Sequence, residues 1–495
     1  MYDVFIPIET YRKLVKKCIE FLKSFVIILY IYFIFFMKKN FFSDNIDFFA
    51  RWRDNEEAQK FFSYLQEWHN TIFLTWKAWT GKSTLIQDTI SFFKNENKYP
   101  IVLWSTWISA LNIGWQTVHS FFSLEIDDVY YKDIQYYLKD KSQKKYKLKK
   151  SKIELLIQSP FVIIDEISML SSNVLDSIDF LMRFYLALYT KNKVLARIPF
   201  GWKKMIFVGD VYQLPPVKTE KRIGKFSEIY DSERFFDSNV FKKLVKDDLW
   251  KAVILKKNYR QWNDNKFWEI LDSIRSMWIT KENIDLLNKQ KRNSKILEDS
   301  ILLCTHRNKV DIENQTKLNS LPWDEKIFES QTIWDFPNYL KRADDTLILK
   351  KWAKVMMLCN DKAWFWVNWS IGEVTWFDEW IIFVNINWKV YTVWQNVWEN
   401  KNITIDENWK INENIVWYFV QYPIKLAYAT TIHKSQWMTF DTCRLDISHI
   451  FTWWQAYTAL SRAKSLAWIS LSWDIKIQHL YFDKKIIDFV KKYLN

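Results

Sequence analysis

The sequence predicts an α/β chain built on parallel sheets, with a small β-barrel inserted in its second half. Three observations carry this. From about residue 55, short apolar runs alternate with longer helical stretches, as layered α/β folds require. One of those runs leads through "TWKAWTGKST" (75–84) into a helix, the setting of a phosphate-binding loop. Between about 350 and 420 the texture turns β-rich, with runs such as "IIFVNINWKVYTV".

The elements follow in order. Residues 21–37 are strongly apolar, but the uninterrupted part, Phe25 to Met37, is 13 residues, short of the about 20 that span a bilayer. A short anchor, a buried or interfacial helix, and upstream sequence read from too early a start all stay open for 1–36; Met37 opens an ordinary polar stretch. Strands are expected at Thr71–Thr75, Ile101–Leu103, Phe161–Ile164, Met205–Val208, Ile301–Thr305 and Cys443–Ile447, and a helix from Lys82 to about Phe93. The Lys-rich stretch 138–152 reads as a solvated helix or insertion. Boundaries are expected at 1–36, 37–250 and 251–495, with the barrel at about 350–420.

The chain carries 71 basic and 57 acidic residues, a net charge of +14, which favours a polyanionic partner such as nucleic acid. Four scattered cysteines (Cys18, Cys304, Cys359, Cys443) form neither a metal-ligand pair nor a disulfide framework, so a reducing cytoplasm is expected. Six glycines and 30 tryptophans are abnormal counts. Ordinary usage of about 7% predicts roughly 35 glycines in a chain this long. The two counts together make 36, which suggests that most tryptophan letters stand where glycines belong.

In a phosphate loop, backbone N–H groups cradle phosphates at a helix N-terminus, Lys reaches the β/γ-phosphates and Ser/Thr meets Mg²⁺. Here the register is Trp76-Lys77-Ala78-Trp79-Thr80-Gly81-Lys82-Ser83, followed by Thr84. Lys82 and Ser83 are in place, while Trp76 and Trp79 stand at the glycine positions. In "FVIIDEISML" an apolar strand ends in Asp165-Glu166. That placement suits Asp165 to hold Mg²⁺ and Glu166 to deprotonate an attacking water. "MIFVGDVYQLPPV" (205–217) ends another strand before Gln213, whose amide suits a γ-phosphate contact.

"GDVYQLPPV", "LKKNYRQ" (255–261), "AYATTIHKSQWMTFD" (427–441) and "AYTALSRAKSLAWI" (456–469) resemble, in order and spacing, motifs of superfamily 1B DNA helicases of the Pif type, related to RecD. "STWISALNIGWQTVHSFF" (105–122) looks like their early DNA-contacting motif. The resemblance covers about 55–475. It implies two RecA-like P-loop domains closing on ATP and Mg²⁺, with Arg260 and Arg462 as arginine fingers from the second domain and Gln59 reading adenine. It places Thr106, His119, Ser120, Phe121, His433 and Lys434 along a single-stranded DNA path. It further implies a motor on single-stranded and forked DNA, moving 5′→3′. The sequence leaves the oligomeric state open with a monomer favoured, and the chain is expected in the cytoplasm, nucleoid-associated, without stable membrane association.

The family's glycines supply a second test of the tryptophans. Trp76, Trp79, Trp107, Trp115, Trp202, Trp437 and Trp454 stand at motif glycines, and Trp352 and Trp369 do likewise in the β-rich region. Decay of a dead enzyme would also have removed Lys82, Asp165, Glu166, Gln213, Arg260 and Arg462. A gene whose UGA codons mean glycine, translated as if UGA meant tryptophan, yields this pattern, with Gly81, Gly114, Gly201, Gly209, Gly224 and Gly372 surviving from ordinary glycine codons. Trp366 is the first candidate for a genuine tryptophan. The rival reading is an inactive helicase relative whose indoles are real and stack on bases.

Overall fold

A computed structural model describes residues 50–67, 71–76, 81–105, 116–125, 129–139, 146–216, 226–257, 264–276, 278–293, 296, 300–333, 341–361, 363, 365–405, 411–436, 438–448, 453–480 and 483–494. The apolar segment 1–36 lies outside them. The first unit is a parallel sheet of β1 (Thr71–Trp76), β2 (Ile101–Trp104), β3 (Gln116–Thr117), β4 (Val162–Asp165), β5 (Met205–Val208) and β6 (Trp250–Leu255), in the order β3-β2-β4-β5-β1-β6. Strands β2, β4 and β5 are buried at every position and, Asp165 apart, apolar, because both faces are covered. Alternate residues of β1 go to opposite sides. Ile72 and Leu74 meet the helices Glu56–Gln66 and Lys82–Asn95, and Phe73 joins the core beneath Ser172–Tyr189 and Asn239–Lys246.

After β7 (Ile301–Cys304) come the strands of the β-rich region: β8 (Lys326–Glu329), β9 (Gln331–Ile333), β10 (Thr346–Leu349), β11 (Lys354–Met357), β12 (Ile371–Phe377), β13 (Ile382–Ile386), β14 (Lys389–Val393), β15 (Asn396–Ile405), β16 (Ile411–Gln421) and β17 (Ile424–Leu426). β18 (Ala429–Thr431), β19 (Cys443–Leu445) and β20 (Ile469–Leu471) follow. The second parallel sheet has the order β18-β7-β19-β20. All six strands expected from the sequence form, four in the first sheet and two in the second.

The β-rich region departs from expectation. Among the described residues no closed barrel forms. β14-β13-β12-β11-β17 is an open antiparallel sheet over a core of Val355, Val374, Val384 and Ile424, beside a β15-β16-β9 sheet and a β10-β8 pair. Period-two alternation specifies faces, not whether the end strands meet. The boundary at 250 falls at the first residue of β6, which belongs to the first sheet. The last helix, Lys484–Tyr493, also returns to that unit: Phe489 stacks on Phe236 at 4.4 Å between ring centroids. Among the described residues no helix is long and apolar enough to cross a membrane.

Among the described residues four tryptophans hold the left-handed backbone that bulky residues avoid: Trp202 (φ +70°), Trp352 (+67°), Trp369 (+73°) and Trp388 (+67°). The first three were singled out from the sequence as glycine positions. Trp388 was not, and its setting is the most telling. β13 and β14 pair up to Ile386–Lys389, leaving Asn387 and Trp388 as a two-residue turn with both φ positive. Such a type I′ turn takes Asn-Gly by strong preference. The Trp388 side chain is 97% exposed, so burial does not compensate for the strain. Trp388→Gly is therefore expected to stabilise the chain by about 1 kcal/mol, the strain relieved less the entropy glycine adds to the unfolded state. Urea unfolding checks this; an unchanged or lower midpoint would contradict it. By contrast Trp52 is buried, and its Nε1 donates to Asp88 Oδ2 at 2.8 Å. Trp366 is buried edge-on to Tyr391.

Candidate active site

Parallel sheets present their working residues at the carboxyl ends of the strands, and the first sheet does so here. β1 runs toward Gly81, whose φ of +78° caps the helix Lys82–Asn95 without a side chain. Beyond its backbone in β1, nothing of Trp76 is described, and Trp79 and Thr80 lie outside the described residues. Lys82 opens the helix and is buried. Its Nζ donates to Asp165 Oδ1 and Oδ2 at 3.1 and 3.3 Å and lies 3.7 Å from Glu166 Oε1. Ser83 is exposed and Thr84 half-buried on the same first turn.

Asp165 is the last residue of β4, and its Oδ1 accepts the Glu166 N–H at 2.8 Å. Glu166 follows in a left-handed conformation, φ +53°, strain of the kind stored at working sites. It is buried, and its Oε2 has no hydrogen-bond partner among the described residues. Burial pushes its carboxyl up to about 8; Lys82 pulls it down, Asp165 and Asp210 push it up, and Arg462 pulls it down. An orphan oxygen on a carboxyl primed to take a proton is what a general base for water requires.

The loop after β5 brings the third group. A Cβ on Gly209 would come within 2.8 Å of Ile167 Cγ2, so glycine lets this loop lie against the turn that carries Glu166. Asp210, fully buried, accepts the Tyr212 N–H at 3.1 Å on Oδ1 and the Gln213 amide at 3.2 Å on Oδ2. Gln213 Oε1 accepts from the Gln436 amide at 3.3 Å, and Arg462 donates to the Gln436 carbonyl. Gln436 and Arg462 follow β18 and β19, so this chain of contacts joins the two units. Arg462 also donates to the Thr458 carbonyl at 2.9 Å and the Ser461 hydroxyl at 2.8 Å. Burial pulls its guanidinium down to about 10, while Tyr457, Glu166 and Asp210 raise it, so it stays charged at neutral pH.

The remaining expected residues are placed as follows. Arg260 and Thr106 lie outside the described residues. Gln59 is exposed on the first turn of Glu56–Gln66, its amide donating to the Trp52 carbonyl at 3.1 Å. His119, Ser120 and Phe121 share the short helix Val118–Phe122 beside β3. Ser120 is exposed, but the Phe121 ring is buried in the core with Lys152 Nζ 5.6 Å over its centroid. The apolar side of so short a helix must face the sheet, which the motif alone did not reveal. His433 is exposed and edge-on to Trp454 at 5.0 Å, and Lys434 is half-buried in the turn after β18. Asp210, Gln436 and Arg275 were not assigned roles from the sequence. The first two sit inside quoted motifs, whereas Arg275 had no signal beyond following an apolar helix stripe.

The donor set fits a phosphorylated ligand with a hard cation. Among the described residues no group of three His, Cys, Asp or Glu side chains could hold a metal alone. Mg²⁺ in phosphate-loop sites takes one or two protein oxygens and completes its shell from phosphate and water, and the Ser83 hydroxyl and Asp165 carboxylate are of that kind.

Comparison with known proteins agrees with this geometry. The family described as PIF1-like helicase matches residues 55–284. The ATP-dependent DNA helicase Pif1 of Campylobacter jejuni is 32% identical over 461 residues, covering 86% of this chain and 95% of that protein. That of Bdellovibrio bacteriovorus is 29% identical, covering 85% and 88%. Among solved structures, Pif1 from Bacteroides in complex with ADP-AlF4 superposes with a TM-score of 0.75 at 30% identity, over 89% of this chain and 96% of that one. The same helicase bound to single-stranded DNA gives 0.62 at 31% identity, over 89% and 96%.

Proposed function

The chain belongs to the PIF1-like family of ATP-dependent DNA helicases, and from that premise we propose which of its residues perform the activity and on what substrate. The carrying observation is the buried cluster Lys82–Asp165–Glu166, with its orphan carboxyl oxygen, facing Arg462 of the second unit. ATP phosphates bind at the N-terminus of Lys82–Asn95, where Trp76, Trp79, Thr80, Gly81 and Thr84 supply the loop and Lys82 leaves Asp165 for the phosphates. Ser83 and Asp165 would hold Mg²⁺, which would neutralise charge on the phosphates. Glu166 takes the proton of the attacking water, and Gln213 senses the terminal phosphate. Arg260 and Arg462 place positive charge where it develops on the transferred phosphoryl. Gln59 reads the adenine edge.

The two units, divided near 250 with the β-rich insert in the second, close and open around this site and draw single-stranded DNA along a basic path. His119, Ser120, His433, Lys434 and Thr106 contact the strand. Phe121, buried in the core, positions that helix and does not stack on bases. Movement is 5′→3′ on single-stranded and forked DNA, by a monomer working at the nucleoid.

We further propose that most tryptophans, including 76, 79, 107, 115, 202, 352, 369, 388, 437 and 454, are glycine in the living cell through UGA recoding. Four of them in left-handed backbone support this. The codons test it directly, since UGG at 76, 79, 107, 115, 437 and 454 would refute it. The helicase assignment is tested on glycine-bearing protein by strand displacement from substrates with 5′ or 3′ tails. Unwinding of the 5′-tailed substrate with single-strand-stimulated ATP hydrolysis is expected. Preference for the 3′ tail would overturn the polarity, and no unwinding the motor reading.

A further inference from the structure

The helix Asn265–Ser276 buries Phe267, Ile270, Leu271 and Ile274 beneath the second sheet. Arg275 comes next, in the last turn, where a basic side chain suits the helix dipole and would ordinarily reach solvent. It is instead 9% exposed. A buried guanidinium needs partners, and two of those seen here come from the other unit. Arg275 lies 3.5 Å from Asp210 Oδ1 and packs over the Tyr212 ring at 4.7 Å; within its own unit it donates to the Tyr457 hydroxyl at 3.5 Å.

Asp210 divides its oxygens accordingly: Oδ1 serves Tyr212 N–H and Arg275, and Oδ2 holds the Gln213 amide. Gln213 is thus fixed from behind by an acid that Arg275 neutralises, and from the front by Gln436. Gln436 lies two residues from Lys434, on the turn assigned to the DNA path. The pair spans the two units, and it converges on the residue assigned to sense the terminal phosphate.

We propose that Arg275 is a positioning residue, a latch across the cleft that sets Asp210 and, through it, Gln213 when the two units close. This rests on the helicase reading above. The planar guanidinium matters as well as the charge, because it meets a carboxylate and an aromatic face together.

The test uses the full glycine-bearing chain with Arg275→Met and Arg275→Lys, the latter keeping the charge if the former does not fold. For Arg275→Met, single-strand-stimulated kcat is expected to fall at least tenfold with the KM for ATP within twofold. Energy transfer between dyes placed one on each unit should fall too. Arg275→Lys should be intermediate in both. In the Asp210→Asn background Arg275→Met should add little, since both remove one interaction. Unchanged kcat and transfer, or equal losses in kcat, ATP affinity and thermal stability, would overturn the proposal. A parent that hydrolyses no ATP would sink the helicase reading, while the dye pair would still report whether Arg275 holds the units together.

Discussion

Protein with glycine at positions 76 and 79 is expected to bind ATP at least a hundredfold more tightly than the chain with indoles there. A phosphate loop works by turning successive backbone N–H groups toward one anion, which requires residues free to take left-handed conformations. A bulky side chain forced into that backbone costs about 1–2 kcal/mol per position. Each hydrogen bond to a charged phosphate lost when the loop moves away is worth a further 1.5–3 kcal/mol or so. One strained position and two lost bonds come to about 4–8 kcal/mol, above the roughly 2.8 kcal/mol that a hundredfold represents. Titration of a fluorescent ATP analogue against both proteins reads the difference. Equal affinity would show that the loop tolerates indoles, and would remove the steric argument for recoding while leaving the argument from composition and motif positions standing. A chain that binds single-stranded DNA more tightly with its indoles than without them would favour the rival reading of real base-stacking tryptophans.

What was legible in the sequence divides along physical lines. Strands buried on both faces are short apolar runs bounded by polar residues, so β1, β2, β4, β5, β7 and β19 could be placed locally. Residues at strand ends could be assigned roles because chemistry restricts their types: Lys82, Asp165, Glu166 and Gln213 all come to the carboxyl edge of the first sheet. Sheet order was not legible, since it is set by long-range packing. Nor was barrel closure, or the return of the helix Lys484–Tyr493 to the first core, where Phe489 meets Phe236 and Trp250. Phe121 shows the limit of motif reading, because an aromatic beside a DNA motif serves the core or the ligand according to which face its helix turns inward. The tryptophan anomaly was visible in composition, but only backbone geometry exposes Trp388, whose turn with Asn387 lies in no helicase motif.

Glu166→Gln, made in the glycine-bearing chain, is expected to lower kcat for ATP hydrolysis by about 10²–10⁴-fold, the usual loss for a general base, with ATP and single-stranded DNA still bound. The amide keeps the shape of the side chain and loses only the capacity to accept the water's proton. The pH profile separates this role from a structural one. In the folded chain burial raises the Glu166 carboxyl to about 8, with Lys82 opposing. The ionised, competent fraction therefore grows as pH rises, and single-turnover hydrolysis should climb from about pH 6 through 8 and level off about one unit higher. Bound Mg²⁺ would favour the ionised form and move the midpoint lower without changing the direction of the slope. In Glu166→Gln the residual rate should be flat over this range. Asp165 cannot stand in for the lost base, because its carboxylate would be committed to Mg²⁺ once Lys82 turns to the phosphates, and its Oδ1 accepts the backbone N–H of residue 166. A glutamine variant within fivefold of the parent, or a parent rate that falls as pH rises from 6 to 8, would mean that another group takes the proton. The orphan Oε2 would then need a different explanation.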